Sequence, residues 1–290
     1  MRPTLALLAA DAVGGDLNRA TPIAVALEYV HNFSLIHDDL EDMDRVRHHR
    51  PTVWAVWGES AAIVSGNAML KIADAAAWKL RAAGVDDAVA LEAEAVLTSH
   101  YLKMMEGQYL DISFESEESV SVEQYLDMIE RKTGALIEAS IYLGSLVASY
   151  SGPDRDTAMA LKAVGYDLGR IFQIRDDVLG VWGGVETGKP VGADIKRKKK
   201  ALPAVHALSA STGATGERLK QIFRTEGELE QKDVHIVLEE MENLGTQDYC
   251  QSMAEDRWLD CQRMIESLEL SGTTADEFTE LGEFLLIRES

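Results

Sequence analysis

The 290-residue sequence has few cysteines, and nothing in it resembles a signal peptide or a long apolar run. Its two cysteines are Cys250 and Cys261. On one helix this spacing separates them by roughly 16 Å along the axis, too far for a disulfide, so we expect two reduced thiols and a cytoplasmic protein. No basic segment followed by an apolar segment opens the chain, and no uninterrupted apolar run is long enough to cross a bilayer. The sequence therefore predicts no disulfide scaffold and no integral membrane segment.

Positive charge is also scarce. Lysine and arginine together number 28, against 49 aspartates and glutamates, which gives a formal net charge of −21 at pH 7. A surface this acidic repels the phosphate backbone of nucleic acids, so we expect no nucleic-acid partner. Any dense group of basic residues in such a chain is a candidate anion site.

Only six prolines occur, and we expect those at positions 22, 51, 153, 190 and 203 to lie where a helix begins or a loop turns. Between them, apolar residues recur at helical spacing and not with the two-residue alternation of strands. The predicted helical segments are 23–40, 60–80, 87–110, 122–150 and 157–179. No repeat and no linker divides the chain, so the sequence predicts one all-α domain over residues 1–290.

An acidic cluster closes the first of these segments, at Asp38-Asp39-Leu40-Glu41-Asp42. Asp38 and Asp42 are four residues apart, so on a helix their carboxylates share one face, where they repel unless a cation lies between them. Taken alone, the cluster is best explained as a solvated helix end in an acidic chain.

A second pair, Asp176-Asp177, follows an apolar run that contains Phe172 and Ile174. Carboxylates among apolar neighbours need a metal, a hydrogen-bond donor or a proton. Carboxylate oxygens suit magnesium, which keeps part of its water and completes its shell with substrate phosphates. Two such clusters facing each other across a cavity could hold several magnesium ions around one diphosphate.

Basic residues are available for the remaining charge of a diphosphate. They are Arg47, Arg50, Lys132, Lys189 and the run Lys196-Arg197-Lys198-Lys199-Lys200. The run is either a solvated or partner-binding patch or a wall that neutralises phosphate, and its place shortly after Asp176-Asp177 favours the second interpretation.

These motifs resemble, over nearly the whole chain, the polyprenyl synthase family, also called trans-isoprenyl diphosphate synthases. The matching residues are Arg2-Pro3, Asp38-Asp39-Leu40-Glu41-Asp42, Arg47-His48-His49-Arg50-Pro51-Thr52, Lys132-Thr133, Phe172-Gln173-Ile174-Arg175-Asp176-Asp177, Gly188-Lys189, Gly192, Asp194, Lys199 and Leu202-Pro203. Each motif is weak by itself, but their order and spacing together are specific.

The resemblance implies a helical bundle around a deep central cavity, in a homodimer, which condenses isopentenyl diphosphate with an allylic prenyl diphosphate. Three magnesium ions, bound with the diphosphate, would be held by Asp38, Asp42 and Asp176, with Asp39 and Asp177 in support. The resemblance places the substrate-binding role on Arg47, His48, Lys132, Thr133, Gln173, Lys189 and Lys199. Of these, Lys132 and Lys199 join the aspartates as catalytic residues, since they draw charge onto the leaving diphosphate.

The resemblance also bears on product length. Phe33 lies five residues before Asp38, and Tyr29 one turn earlier on about the same face. A phenylalanine there, beside the small Ser34, resembles the floor of a cavity that stops at twenty carbons, which predicts geranylgeranyl diphosphate. Farnesyl diphosphate is the close alternative, and Phe33 is equally explained as a core residue.

Three departures from the family pattern leave alternatives open. The family's Gly-Lys-Arg motif, which binds isopentenyl diphosphate, precedes the Arg-Pro that matches Arg2-Pro3 and is absent from the sequence. His48 replaces a second arginine, and Gly180 replaces the third acid of the second aspartate motif. We favour an elongating enzyme, because the allylic site is largely intact. The alternatives are a terpene cyclase or hydrolase acting on one prenyl diphosphate, a non-catalytic modulator subunit, and a protein that only binds metal.

Overall fold

A computed structural model describes residues 1–149, 154–183 and 191–287. Within these ranges helices dominate, and the predicted all-α class is confirmed. The helices are α1 (Arg2–Ala12), α2 (Leu17–Glu41), α3 (Val53–Trp57), α4 (Glu59–Ala77), α5 (Asp87–Ser116), α6 (Val122–Ile129), α7 (Ala135–Ala148), α8 (Arg155–Trp182), α9 (Ala193–Lys196), α10 (Leu202–Ala210), α11 (Gly213–Arg224), α12 (Gln231–Asn243), α13 (Thr246–Ser267) and α14 (Thr274–Ile287). A 3₁₀ turn, Trp78–Leu80, follows α4.

The predicted segments correspond to α2, α4, α5 and α8, each with its ends moved by a few residues. Among the described prolines, Pro22 is the exception, because it lies inside α2 and not at a helix start or in a turn. Pro153 and Pro190 lie outside the described residues. Helix α2 begins earlier, at Leu17, where the side chain of Asp16 accepts a hydrogen bond from the Asn18 N–H at 2.9 Å. This cap starts the helix one turn ahead of the proline.

The segment predicted as one helix over 122–150 is interrupted. Helix α6 ends at Ile129, a π-helical turn occupies Glu130–Gly134, and α7 continues from there. A side-chain capping box of Ser121 and Gln124 starts α6. The π turn contains Lys132-Thr133, one of the motifs noted in the sequence.

The only strands among the described residues form a small hairpin, β1 (Val46–Arg47) and β2 (Arg50–Pro51), which the sequence did not predict as strands. Arg47 pairs with Arg50 across it. The two residues between the strands, His48 and His49, have φ values of 48° and 61°. Positive φ at both central positions is the geometry of the two-residue turns that match the twist of paired strands.

The chain forms two compact units by its internal contacts, while the single domain over 1–290 stays a prediction. Unit one consists of Met1–Tyr101, Leu136–Gly165 and Leu268–Ala275. Within it α2 packs against α1 and α4. Helix α7 approaches α1 closely at Gly144, where an added β-carbon would lie 2.7 Å from the carbonyl carbon of Ala6. Small residues at such contacts bring helix backbones together and leave no room for a side chain.

Unit two consists of Leu102–Ala135, Tyr166–Ser267 and Asp276–Ser290. One of its apolar clusters includes Tyr125, Ile129, Ile174, Val178 and Leu202, all less than a tenth exposed. It therefore surrounds the helix turn that carries Asp176-Asp177. Within the described ranges, no helix is both long and apolar enough to cross a membrane.

Candidate active site

In unit one the first aspartate cluster forms the end of α2 and is paired with an arginine from the hairpin. Arg47 donates from Nη2 to Asp38 at 2.8 Å and from Nε to Asp39 at 2.5 Å. Burial raises the pKa of the Asp39 carboxyl above its usual value, although the bond from Arg47 opposes this. Burial also lowers the Arg47 pKa, but Asp39 and Asp38 more than offset it, so the guanidinium stays charged.

Asp38 and Asp42 have the relation that their spacing predicts. Asp42 caps α2 with near-helical backbone angles, and its N–H donates to the Asp38 carbonyl at 2.9 Å. The Asp38 side chain is 20% exposed and Asp42 is an exposed residue, whereas the Asp39 side chain is only 8% exposed. Two accessible carboxylates one turn apart suit a hard divalent cation, and Asp39 instead fixes Arg47.

The hairpin sets the positions of the residues after Arg47. His48 and His49 are at its turn, while Arg50 lies directly opposite Arg47. Opposed residues of a hairpin share one face, so Arg47 and Arg50 are neighbours on it. His48, the position that the family resemblance assigns to the acceptor substrate, therefore belongs to the turn and not to the strand face of Arg47.

Phe33 is buried in unit one. It is 4% exposed, and its ring lies 4.9 Å from that of His37 in an edge-on arrangement. Tyr29, one turn earlier, is partly buried. Gly66 of α4 leaves room for the His37 ring, since a β-carbon there would lie 2.4 Å or less from its nearest ring atoms. The role of Phe33 as a cavity floor stays a prediction.

In unit two the paired aspartates of α8 differ sharply. Asp176 is exposed, whereas Asp177 is 1% exposed and its carboxylate accepts three hydrogen bonds. The donors are the Tyr125 hydroxyl, Gln173 Nε2 at 3.0 Å and the Leu202 N–H at 3.1 Å. Burial raises the Asp177 pKa to about 6 even though Lys199 and these donors favour the ionised form. Asp177 thus ties α6, α8 and α10 together, and Asp176 is the accessible member of the pair.

The hydrogen-bond network of Asp177 extends to the π turn. Thr133 donates from its hydroxyl to Gln173 Oε1 at 2.7 Å, which orients the Gln173 amide toward Asp177. Lys132 donates to Asp111 of α5 at 2.5 Å. Helix α5 approaches this turn through Gly107, where a β-carbon would lie 2.6 Å from the Lys132 Cα. π turns are frequent at functional sites, and this one places Thr133 on the network of Asp177 with Lys132 beside it.

Lys199 lies near the same carboxylates. Desolvation lowers its pKa, but the charges of Asp194, Asp177, Asp111 and Asp176 outweigh this and raise it, so the ammonium stays charged. Lys200 instead donates to the carbonyl oxygens of Phe114, at 2.6 Å, and Glu117. Lys189 lies outside the described residues.

The donor chemistry of both clusters fits a divalent cation, although no metal cage is preassembled. Among the described residues, no group of three or more histidines, cysteines, aspartates or glutamates is arranged to hold a metal ion. Magnesium is usually bound through one or two carboxylates plus substrate phosphates, so this arrangement fits an ion that arrives with a diphosphate.

Sequence reasoning missed two residues of the site. Tyr125 donates to Asp177 from 52 positions away, and Asp111 pairs with Lys132 across 21 positions. Neither belongs to a motif, and a tyrosine or aspartate at helical spacing carries no signal of such a contact. Asp194 was visible as part of a motif, but no role followed from the sequence.

Comparisons with known proteins agree in one family. A family model described as polyprenyl synthetase matches residues 1–241. The (2E,6E)-farnesyl diphosphate synthase of Mycobacterium tuberculosis H37Rv is 43% identical over 220 residues, or 76% of this chain and 59% of that one. The short chain isoprenyl diphosphate synthase of Methanothermobacter thermautotrophicus is 37% identical over 290 residues, 100% of this chain and 86% of that one.

A solved structure is similar over almost the full chain. The geranylgeranyl pyrophosphate synthetase of Pyrococcus horikoshii superposes with a TM-score of 0.91 at 32% identity, covering 99% of this chain and 85% of that one. The chain nevertheless spans only 59% of the length of the mycobacterial farnesyl diphosphate synthase that it matches.

Proposed function

The chain belongs to the polyprenyl synthetase family, whose members use a divalent metal with diphosphate substrates, and from this premise we propose that it is a trans-prenyltransferase. It condenses isopentenyl diphosphate with an allylic prenyl diphosphate in a magnesium-dependent reaction. Relatives named as farnesyl, geranylgeranyl and short chain isoprenyl diphosphate synthases support this class of reaction.

The observation that carries the proposal is that each unit places accessible carboxylates beside a cationic side chain. In unit one, Asp38 and Asp42 lie at the end of α2, and Arg47 bonds to Asp38. In unit two, Asp176 is exposed and lies near the charge of Lys199. Carboxylates for a metal and cations for phosphate oxygens are the two requirements of a diphosphate site.

These placements support the following roles. Asp38, Asp42 and Asp176 would hold the magnesium ions, three in number as in the family resemblance, and these ions would supply Lewis-acid charge to the leaving diphosphate. Arg47 uses two of its five N–H donors on Asp38 and Asp39, which leaves donors for phosphate. Lys132, Lys199 and Lys189 provide further positive charge.

The remaining residues of the site orient these groups. Gln173 and Thr133 position the Asp177 carboxylate and the π turn, and Asp39 positions Arg47. The carbon–oxygen bond of the allylic diphosphate breaks, and the double bond of isopentenyl diphosphate forms the new carbon–carbon bond. A proton then leaves to the released diphosphate. Apolar walls keep water from the cation, and this protection favours condensation over hydrolysis.

For product length we propose twenty carbons, with farnesyl diphosphate as the alternative. Phe33 supports a closed floor because it is buried, and its contact with His37 holds the ring in one orientation. We further propose that His48 contributes to the acceptor subsite.

Product analysis by mass spectrometry tests the proposed activity. The purified chain is given isopentenyl diphosphate with the five-, ten- or fifteen-carbon allylic diphosphate, with and without magnesium. We expect a magnesium-dependent linear twenty-carbon diphosphate. A cyclic hydrocarbon or a free alcohol in its place would contradict condensation, and so would an untouched substrate.

Substitutions test whether turnover depends on the aspartates of the two clusters and not on the negative charge of the surface in general. Asp38→Asn and Asp176→Asn should each reduce turnover by about 100-fold or more. Each removes a carboxylate proposed to bind the magnesium ions that stabilise the charge of the leaving diphosphate. Asp248→Asn is the matched control, because Asp248 is an exposed aspartate of α13 outside the site. Turnover equal to wild type in either cluster variant would exclude that residue from the site.

We also propose a cytoplasmic homodimer. Large apolar side chains on α4 and α5 are exposed, as expected for helices that pack against another subunit. They include Ile63, Val64 and Ile72 on α4 and Leu91, Leu102 and Tyr109 on α5. Sedimentation equilibrium tests this, with twice the monomer mass as the expected result and a monomer as the contradicting one.

A further inference from the structure

One face of α8 packs along the π turn that carries Lys132. Its members recur at spacings of three and four residues and are Tyr166, Gly169, Arg170 and Gln173. Gly169 meets the end of the turn, since a β-carbon there would lie 2.7 Å from the Cα of Gly134. The hydrogen bond from Thr133 to Gln173 holds the residue before it. The last two residues of the turn are therefore fixed against α8.

The other two side chains of this face bind the first residue of the turn, Glu130. Arg170 Nε lies 3.3 Å from Glu130 Oε1, and the Tyr166 hydroxyl donates a hydrogen bond to the Glu130 carboxylate. Burial and this bond raise the pKa of Tyr166 to about 12, so the hydroxyl keeps its proton and stays a donor. The Arg170 guanidinium also lies 5.7 Å from the centre of the Tyr166 ring. Both ends of the turn are thus held by the same helix.

The ion pair of Arg170 with Glu130 is largely shielded from water. The Arg170 side chain is 16% exposed and the Glu130 side chain is 24% exposed. Arg170 Nε is itself buried, with no hydrogen-bond partner in the part of the chain that the structure describes. Opposite charges attract more strongly here than on an exposed surface, and removing one partner leaves the other poorly hydrated and unpaired. Glu130 is therefore held firmly in place.

We propose that Arg170 and Tyr166 are positioning residues, which act through Glu130 to fix the π turn and so place Lys132 for the allylic diphosphate. Asp111 binds the ammonium end of the Lys132 side chain, whereas α8 fixes the backbone from which that side chain extends. π turns are rare, so contacts from neighbouring elements are needed to hold one. The inference rests on the proposed function, because it assumes that Lys132 acts on a diphosphate.

Steady-state kinetics of the full chain test the role of Arg170. Arg170→Gln removes the charge, and Arg170→Lys keeps it. Arg263→Gln is the matched control, since Arg263 is 73% exposed and pairs with Asp260 at 3.1 Å on α13. We expect Arg170→Gln to lower kcat/KM for the allylic diphosphate by about 10- to 100-fold, with the KM for isopentenyl diphosphate within about twofold of wild type. Arg170→Lys should recover most of this loss, and Arg263→Gln should match wild type. A folded Arg170→Gln with wild-type kinetics would overturn the inference.

A double-mutant cycle with Lys132 separates positioning from a general loss of structure. Lys132→Ala removes the ammonium that the turn places, so in this background Arg170→Gln should cost less than about threefold in kcat/KM. A merely structural role costs the same factor in both backgrounds, and equal factors would contradict the inference. Circular dichroism checks the fold of each variant. If Arg170→Gln does not fold, Tyr166→Phe takes its place in the cycle, with a loss of about 3- to 10-fold expected only when Lys132 is present.

Binding of inorganic pyrophosphate distinguishes the failure of this inference from that of the proposed function. Isothermal titration calorimetry in the presence of Mg²⁺ measures it for wild type, Arg170→Gln, Lys132→Ala and the double variant. If the chain makes no prenyl product but Arg170→Gln weakens pyrophosphate binding only when Lys132 is present, the positioning role stands and the proposed reaction fails. If the chain makes the product and Arg170→Gln changes neither kinetics nor binding, the reaction stands and the role of Arg170 fails.

Discussion

Replacing Tyr125 with phenylalanine removes one donor from the buried Asp177 carboxylate and leaves the packing intact. Tyr125 is 2% exposed, so the phenyl ring fills the same space and opens no cavity. Hydrogen bonds to charged groups contribute about 1.5–3 kcal/mol to stability, and the carboxylate keeps its donors on Gln173 and Leu202. We therefore expect Tyr125→Phe to lower the free energy of unfolding by about 1.5–3 kcal/mol at pH 8.

The cost should depend on pH in a defined direction. The Asp177 pKa is about 6 in the folded protein, so the carboxylate is ionised at pH 8 and mostly protonated at pH 5. At pH 5 the variant loses only a bond between neutral groups, worth about 0.5–1.5 kcal/mol. Because the Tyr125 hydroxyl favours the ionised form, its removal also raises the Asp177 pKa. The loss of stability should therefore grow as the pH rises through about 6.

Urea unfolding followed by circular dichroism measures both effects, with the slope against urea checked for constancy. Tyr142→Phe is the matched control in unit one, since its hydroxyl makes only a long contact of 3.4 Å to Glu92. It should cost less than about 1 kcal/mol at both pH values. Equal costs for the two variants at pH 8, or a larger cost for Tyr125→Phe at pH 5, would refute the role given to this bond.

Three further results are expected. Burial raises the Glu138 pKa, but the basic neighbours His100 and Lys162 outweigh it, and the pKa is lowered. The contribution of Glu138 to stability is therefore present above about pH 4.5 and is lost as the pH falls through the pKa of the folded state. Glu138→Gln should flatten acid unfolding in that range, and an unchanged acid limb would contradict this. Burial raises the pKa of the Cys250 thiol to about 12 and raises that of Cys261 as well. Both should therefore resist iodoacetamide at pH 8 until urea unfolds the chain, as mass spectrometry would detect. Gly107→Ala should cost about 1–3 kcal/mol in urea unfolding, because its β-carbon meets the Lys132 backbone, whereas Lys103→Ala on the same helix should be near neutral.

The helices were predictable where their signals are local. Apolar spacing identifies α4 and α8 closely, and the acids at 38 and 42 fall on one face as their separation requires. Pro22 shows the limit of such rules, because the Asp16 cap starts α2 one turn earlier than the proline suggests. A local signal is overridden when another local signal a few residues away is stronger.

The inner parts of the site were not predictable, because they depend on tertiary contacts. Asp176 and Asp177 are identical in type and adjacent in sequence, yet one is exposed and the other is buried under the Tyr125 hydroxyl. Which aspartate is buried depends on the phase of α8 against α6 and α10. That phase depends on packing between segments that lie far apart in the chain.

At the π turn Glu130–Gly134, the number of residues matters more to the structure than their identities. A π turn holds about one residue more than an α-helical turn, so deleting a residue here would convert the segment into an α-helical turn and join α6 and α7 into one regular helix. The wide turn that carries Lys132 and Thr133 would then be lost, and with it the contacts of Lys132 with Asp111 and of Thr133 with Gln173. Substitutions that keep the backbone are tolerable at this segment, whereas a single-residue deletion is not.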